Sequence, residues 1–92
     1  MRKDRDNLSE SFLLHLGDAI RQRRINLFLS QEELGARAHL HRTYVTDVEN
    51  GLRNISMVTL LRIAKALKNR PTTQILTAEK AMIKEHGKDG FN

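Results

Sequence analysis

The stretch Ser30-Gln31-Glu32-Glu33-Leu34-Gly35-Ala36-Arg37-Ala38-His39-Leu40-His41-Arg42-Thr43-Tyr44-Val45-Thr46-Asp47-Val48-Glu49-Asn50-Gly51 decides how this 92-residue chain folds. Ser30 followed three residues later by Glu33 is a capping box, in which each side chain satisfies an orphan amide of the other residue, so a helix is expected from Gln31. Leu34 and Ala38 then share a face. The passage Ala38-His39-Leu40-His41 breaks the pattern. Helical spacing resumes with Tyr44, Val45 and Val48 and stops at Asn50-Gly51. His39 and His41 read as turn residues, since histidine is among the non-glycine residues that tolerate positive φ. Two helices of about eight residues do not persist alone. The flanking segments must hold them, which leaves the outward side of the second helix, with Arg42, Thr43, Thr46 and Asp47, free to meet a partner.

Working outward, the length suits one domain with a single modest core, and no linker interrupts it. One proline, few aromatic residues and apolar positions at helical spacing predict an all-α domain without strands. Residues 1–8 mix charges without periodicity and are expected to be a disordered arm. Ser9 or Ser11 can cap a first helix whose Phe12, Leu13, Leu16, Ile20 and Leu27 turn inward. Its opposite face carries Arg21, Arg23 and Arg24. At least two of these are expected to be solvated residues complementing the helix dipole, with the third free to touch phosphate.

After a loop at Leu52-Arg53-Asn54-Ile55, Ser56 is a good N-cap for a fourth helix, Met57 to Leu67. Its Val58, Leu60, Leu61, Ile63, Ala64 and Leu67 cover so much of the circumference that the helix should be largely buried. Pro71 or the following Thr72-Thr73 opens a last helix reaching about Glu85. Ile75, Leu76, Met82 and Ile83 form its apolar stripe. That stripe is a candidate dimer surface, or it folds back on its own core. The domain is thus expected over residues 9–86, a five-helix bundle, with a mobile tail at 87–92.

Composition removes several function classes. Without cysteine there is neither a disulfide framework nor a thiolate metal site, which fits a reducing, cytoplasmic setting. No apolar run approaches the roughly 18 residues of a spanning helix, and the first six residues lack a signal-peptide core. His15, His39, His41 and His86 are scattered outside any metal-ligand spacing. There is no glycine-rich phosphate loop or nucleophile elbow, so neither an enzyme nor a cofactor or metal requirement is expected. The net charge is +5, and from Asn50 to Ala78 there are five basic residues, Arg53, Arg62, Lys65, Lys68 and Arg70, and no acid. That asymmetry suggests a polyanion such as nucleic acid, or simply a solvated basic face.

Gln31-Glu32-Glu33-Leu34, Tyr44-Val45 and Glu49-Asn50-Gly51 resemble the helix-turn-helix of the phage-repressor-like, or xenobiotic-response-element, family of bacterial regulators. The likeness extends over roughly residues 12 to 77 and implies a lambda-repressor-like DNA-binding domain. Within that family, His41 to Glu49 together with Arg53-Asn54-Ile55-Ser56 is most similar to the controller proteins of restriction-modification systems. Two positions depart from the pattern: His39 stands where the turn usually has glycine, and Gly35 where the first helix often has alanine.

The resemblance implies a homodimer that regulates transcription on a palindromic double-stranded operator, with RNA polymerase as a further candidate partner and no small-molecule ligand. Carried over by position, Arg42, Thr43, Thr46 and Asp47 would read bases, Arg42 through the guanine O6 and N7 acceptors. Asp47 would accept from cytosine, orient Arg42 or repel misplaced phosphate. Gln31, Arg53 and Asn54 would bind phosphate, as would Tyr44 unless it serves the edge of the core. Glu49 is expected to be structural, pairing with an arginine of the first helix. The competing expectation is an antitoxin-like module that uses the same fold, and its C-terminal stripe, to mask a partner protein.

Overall fold

A computed structural model describes residues 7–87 of the chain. It contains α1 (Asn7–Asn26), α2 (Gln31–Ala38), α3 (Arg42–Glu49), α4 (Met57–Ala66) and α5 (Pro71–His86), with no strand among the described residues. The capping box forms as expected: the Glu33 amide donates to Ser30 Oγ over 2.9 Å, and the Ser30 amide donates to Glu33 Oε1 over 2.8 Å. Helix α2 starts at Gln31 because two of its orphan donors are satisfied there. It ends because His39 turns left-handed, φ 59°, the conformation the sequence assigns to that residue. The same expectation fails for His41. Its φ is −69°, and its Nδ1 accepts from the Thr43 amide at 3.1 Å, so His41 is the N-cap of α3.

The short helices are held from three sides. Helix α1 packs on α3 and α5, α4 packs on α2 and α5, and α2 packs on α3. Leu16 and Ile20 of α1, Leu34 and Ala38 of α2, Val45 and Val48 of α3, and Leu60, Ile63 and Leu67 around α4 form one apolar cluster. Leu34 is fully buried. Burying a leucine contributes about 1.5–3 kcal/mol, so Leu34 and Ala38, the two apolar residues α2 places in this core, anchor a helix too short to persist by itself.

Close approach, as well as apolar area, sets the crossings. A Cβ added to Gly17 would lie 2.3 Å from the Val48 carbonyl oxygen and 2.6 Å from that of Glu49, so only glycine lets α1 cross so near the end of α3. A Cβ on Gly35 would lie 2.5 Å from the Leu40 carbonyl oxygen. Glycine in α2 costs about 1 kcal/mol of propensity, and here it is what allows the turn to fold back onto the helix.

Several expectations are corrected. Helix α1 starts at Asn7, so residues 7 and 8, assigned to the arm, are helical; residues 1–6 of that arm lie outside the described residues, as do residues 88–92 of the tail. Ser9 and Ser11 therefore sit within the helix, and the Ser11 hydroxyl donates to Glu85 Oε1 of α5 over 3.2 Å. Arg23 and Arg24 are not solvated. Arg23 Nε donates to the Leu67 carbonyl over 3.0 Å and its Nη2 to that of Lys68 over 3.3 Å, closing the C-terminus of α4.

Helix α4 is not largely buried. Met57, Val58 and Leu61 are exposed, because the side of the helix that meets its neighbours is the one carrying Leu60, Ile63, Ala64 and Ala66, with Leu67 after it. Met82, placed by the sequence reading on a dimer surface, is 1% exposed: α5 turns it, with Gln74 and Ala78, onto α1 and α4. Ile75 is half-buried against the core, while Leu76 and Ile83 remain exposed. Among the described residues no helix is long and apolar enough to cross a membrane.

Candidate nucleic-acid interface

The outward side of α3 is fixed by how its inner side is tied down. Glu49, its last residue, is 5% exposed and sits on the same side as Val45, one helical turn earlier. A buried carboxylate requires a partner. Arg24 of α1 supplies it, donating from Nε to Glu49 Oε2 over 2.6 Å and from Nη2 to Oε1 over 3.0 Å. The remaining guanidinium nitrogen, Nη1, donates to the Leu29 carbonyl over 2.7 Å, which secures the loop before α2. This is the pairing with a first-helix arginine expected for Glu49.

From the ion pair the bonding runs outward. Gln31 Nε2, at the first position of α2, donates to Glu49 Oε1 over 3.0 Å. Gln31 Oε1 in turn accepts from the Thr46 hydroxyl over 2.7 Å. Two residues assigned separately to phosphate and to base are thereby joined. Thr46 and Gln31 are both half-buried, each with one side on the network and one toward solvent.

Arg42 and Thr43 occupy the first turn of α3 and are exposed. Asp47, one turn on from Thr43, does not orient Arg42; its Oδ2 lies 3.4 Å from Arg53 Nε. The Arg53 guanidinium also stacks 4.9 Å above the Tyr44 ring, so a loop cation rests on a half-buried aromatic of α3. Asn54 follows it, exposed, in the loop between α3 and α4. The eight positions assigned to bases and phosphates thus come from α3, from the start of α2 and from the loop after α3. Of the other cations of the basic segment, Arg62, Lys65 and Lys68 line a depression with Arg37 and His39 between α2 and α4.

Sequence reasoning gave a first-helix arginine as the partner of Glu49 without singling out Arg24, and it missed His41 as the cap of α3. The spacing of Glu49 from Val45 was the available sign that the carboxylate points inward. Phe28 was missed as well. It adopts φ 59° in the loop before α2 and is 93% exposed, and no local sequence signal marks it.

No group of three or more metal-binding side chains is present among the described residues. What the site offers is chemical complementarity to a duplex: an exposed guanidinium and hydroxyl on the first turn of a helix, flanked by an amide and a second guanidinium suited to phosphate oxygens.

Residues 20–83 match the helix-turn-helix family. The control protein C.BamHI of Bacillus amyloliquefaciens is 38% identical over 65 residues, which span 70% of this chain and 80% of that protein. The crystal structure of the restriction-modification controller protein C.AhdI from Aeromonas hydrophila shares 40% identity and a TM-score of 0.66, covering 67% of this chain and 94% of that one. The clp gene regulator ClgR from Corynebacterium glutamicum, at 21% identity, shares the fold with a TM-score of 0.77 over 94% of this chain and 87% of its own. The chain belongs to the helix-turn-helix family, among the control proteins typified by C.BamHI.

Proposed function

We propose that this chain is a sequence-specific regulator of transcription of the restriction-modification controller type, a homodimer that binds an imperfectly palindromic operator. The observation that carries the reading is the exposed first turn of α3, with Arg42 and Thr43, on a helix locked to α1 by the buried Arg24–Glu49 pair. A helix that reads bases has to be held rigidly relative to the phosphates, and here one hydrogen-bonded chain links both functions.

In this reading α3 enters the major groove with its N-terminal end foremost. Arg42 offers its guanidinium fork to guanine, and Thr43, Thr46 and Asp47 meet neighbouring bases. Gln31, Tyr44, Arg53 and Asn54 hold the backbone. The long, exposed contact between Arg53 and Asp47 is weak enough for a phosphate to displace Asp47, which then becomes free to accept from a cytosine. Exposed apolar residues of α4 (Met57, Val58, Leu61) and α5 (Leu76, Ile83) form the surface for a second copy, with Ile75 at its edge. RNA polymerase is the further partner such a regulator would meet on its promoter.

The test is selection of bound duplexes from a random pool, followed by Arg42→Ala. A palindromic consensus is expected, with preference at one position in each half-site relaxed by the variant. Equal losses on the selected site and on random DNA would remove Arg42 from base reading. Sedimentation separates this reading from an antitoxin-like masking module: a homodimer with steeply salt-dependent DNA binding supports the regulator, and a monomer indifferent to duplex DNA supports masking.

A further inference from the structure

The chain Arg24–Glu49–Gln31–Thr46 has a direction, and that direction fixes what α3 can recognise. An ionised carboxylate only accepts hydrogen bonds. Glu49, gripped by the Arg24 fork and with a side chain 1% exposed, therefore draws the amide nitrogen of Gln31 toward itself. The amide oxygen is left facing Thr46, and it takes the single hydroxyl proton of that threonine over 2.7 Å. Among the described residues, the other acceptor for this hydroxyl is the carbonyl of Arg42 on its own helix, at 3.2 Å. The short Gln31 bond thus holds the proton on the protein side, and the longer, exposed Arg42 contact competes for it only weakly.

We infer that Glu49 is a positioning residue for sequence recognition: by polarising the Gln31 amide it makes Thr46 present a lone pair and a methyl group, never a donor, to the major groove. The inference rests on the DNA-binding reading above and sharpens it. Thr46 then accepts from an exocyclic amino group, adenine N6 or cytosine N4, and gives nothing to guanine O6 or thymine O4. Gln31 acquires a matching role. One of its two amide protons is held by Glu49, and the other remains available to a phosphate oxygen.

The predicted consequence is a swap of recognition without a new contact. In Glu49→Gln the new side chain accepts from Arg24 and donates to Gln31. The Gln31 amide then turns over, its nitrogen donates to Thr46, and the threonine proton, no longer taken by Gln31, has only the long Arg42 contact to leave when a groove acceptor approaches. Gln31→Met leaves the Arg24–Glu49 pair intact while freeing Thr46 from Gln31, and so it reports even where Glu49→Gln fails to fold.

The experiment measures binding of the wild type and each variant to the duplex selected by the wild type and to all single base-pair changes of it. The base pair read by Thr46 is the one whose preference disappears in Thr46→Val. At that pair, inverting the amino-bearing edge should weaken wild-type binding by about fivefold to tenfold. Gln31→Met should flatten that ratio to within about twofold, and Glu49→Gln should flatten or reverse it, with the other positions keeping their preferences. In the Thr46→Val background neither change should alter the profile further. A structural role alone would lower binding to every duplex equally. A selective wild type whose base profile is unchanged by both substitutions overturns the inference and leaves the DNA-binding reading standing. A wild type that selects no sequence overturns the DNA-binding reading, and the inference with it.

Discussion

Arg53, proposed above as a phosphate contact, is held in place by its own neighbours. Stacking on Tyr44 at 4.9 Å restricts the guanidinium, and Asp47 holds it only weakly at 3.4 Å, so little ordering remains to be done on binding. Arg53→Ala should therefore weaken binding to all duplexes alike and reduce the slope of log K against log salt by about 1, read from titrations at several salt concentrations. A loss confined to one base position would contradict it. His39 makes a different point at the same scale. It holds φ 59° on an exposed turn, where a side chain other than glycine is strained and gains no burial. His39→Gly should raise stability by about 0.5–1 kcal/mol, checked as a shift in the urea midpoint at unchanged slope. The role of His39 is legible in the sequence because the turn lies between two readable helices. The capping role of His41 is not, since histidine is an uncommon N-cap and only the structure shows its Nδ1 on the Thr43 amide.

Elements defined by their own ends were the readable ones. The starts of α2, α4 and α5 follow from Ser30, Ser56 and Pro71 because caps act within one turn. The bonds of Ser30 to Glu33 also hold the Glu33 carboxyl below the usual carboxylate range, first through the Ser30 amide and then through its hydroxyl. A lowered folded pKa means stability that is present above the unfolded value of about 4.3 and is lost as pH falls through the folded one. The start of α2 should thus loosen only in acid, and Glu33→Gln should remove that part of the acid limb while leaving the rest, as followed by helicity against pH. The crossing of α1 and α3 was not readable. Nothing near Gly17 in the sequence announces that the Val48 and Glu49 carbonyls will lie against it, and Arg23 bonds to Leu67, 44 positions away. Gly17→Ala should cost about 1–3 kcal/mol even though alanine is the better helix former, because the clash is with backbone that can move only by parting the helices.

For the molecule as a whole, the sequence distinguishes apolar helices from polar ones but not which side of an apolar helix is covered. The apolar residues of α4 predict a buried helix and the stripe of α5 includes Met82, whereas Met82 lies in the core and α4 exposes Met57, Val58 and Leu61. Which apolar residues remain on the surface depends on how all five helices pack, information that no local window contains. The correction moves the centre of the proposed dimer surface to α4, with Leu76 and Ile83 of α5 as its second component. In the proposed reading a monomer would place α3 on one half-site, too little contact for tight selective binding, whereas a two-fold pair would read half-sites about 34–36 Å apart. Val58 and Leu61 are 62% and 54% exposed, so Val58→Glu with Leu61→Glu should leave the fold and its helicity intact. The double variant should sediment as a monomer and lose most of its preference for the full operator over an isolated half-site, while retaining the base profile proposed for Arg42. Met82→Ala should do the reverse, costing about 2–5 kcal/mol of stability through the cavity it leaves, while dimerisation persists wherever the protein remains folded. If the glutamates leave the wild-type sedimentation unchanged, the second copy binds elsewhere, and the exposed side of α4 is not where this regulator would couple operator occupancy to its own concentration.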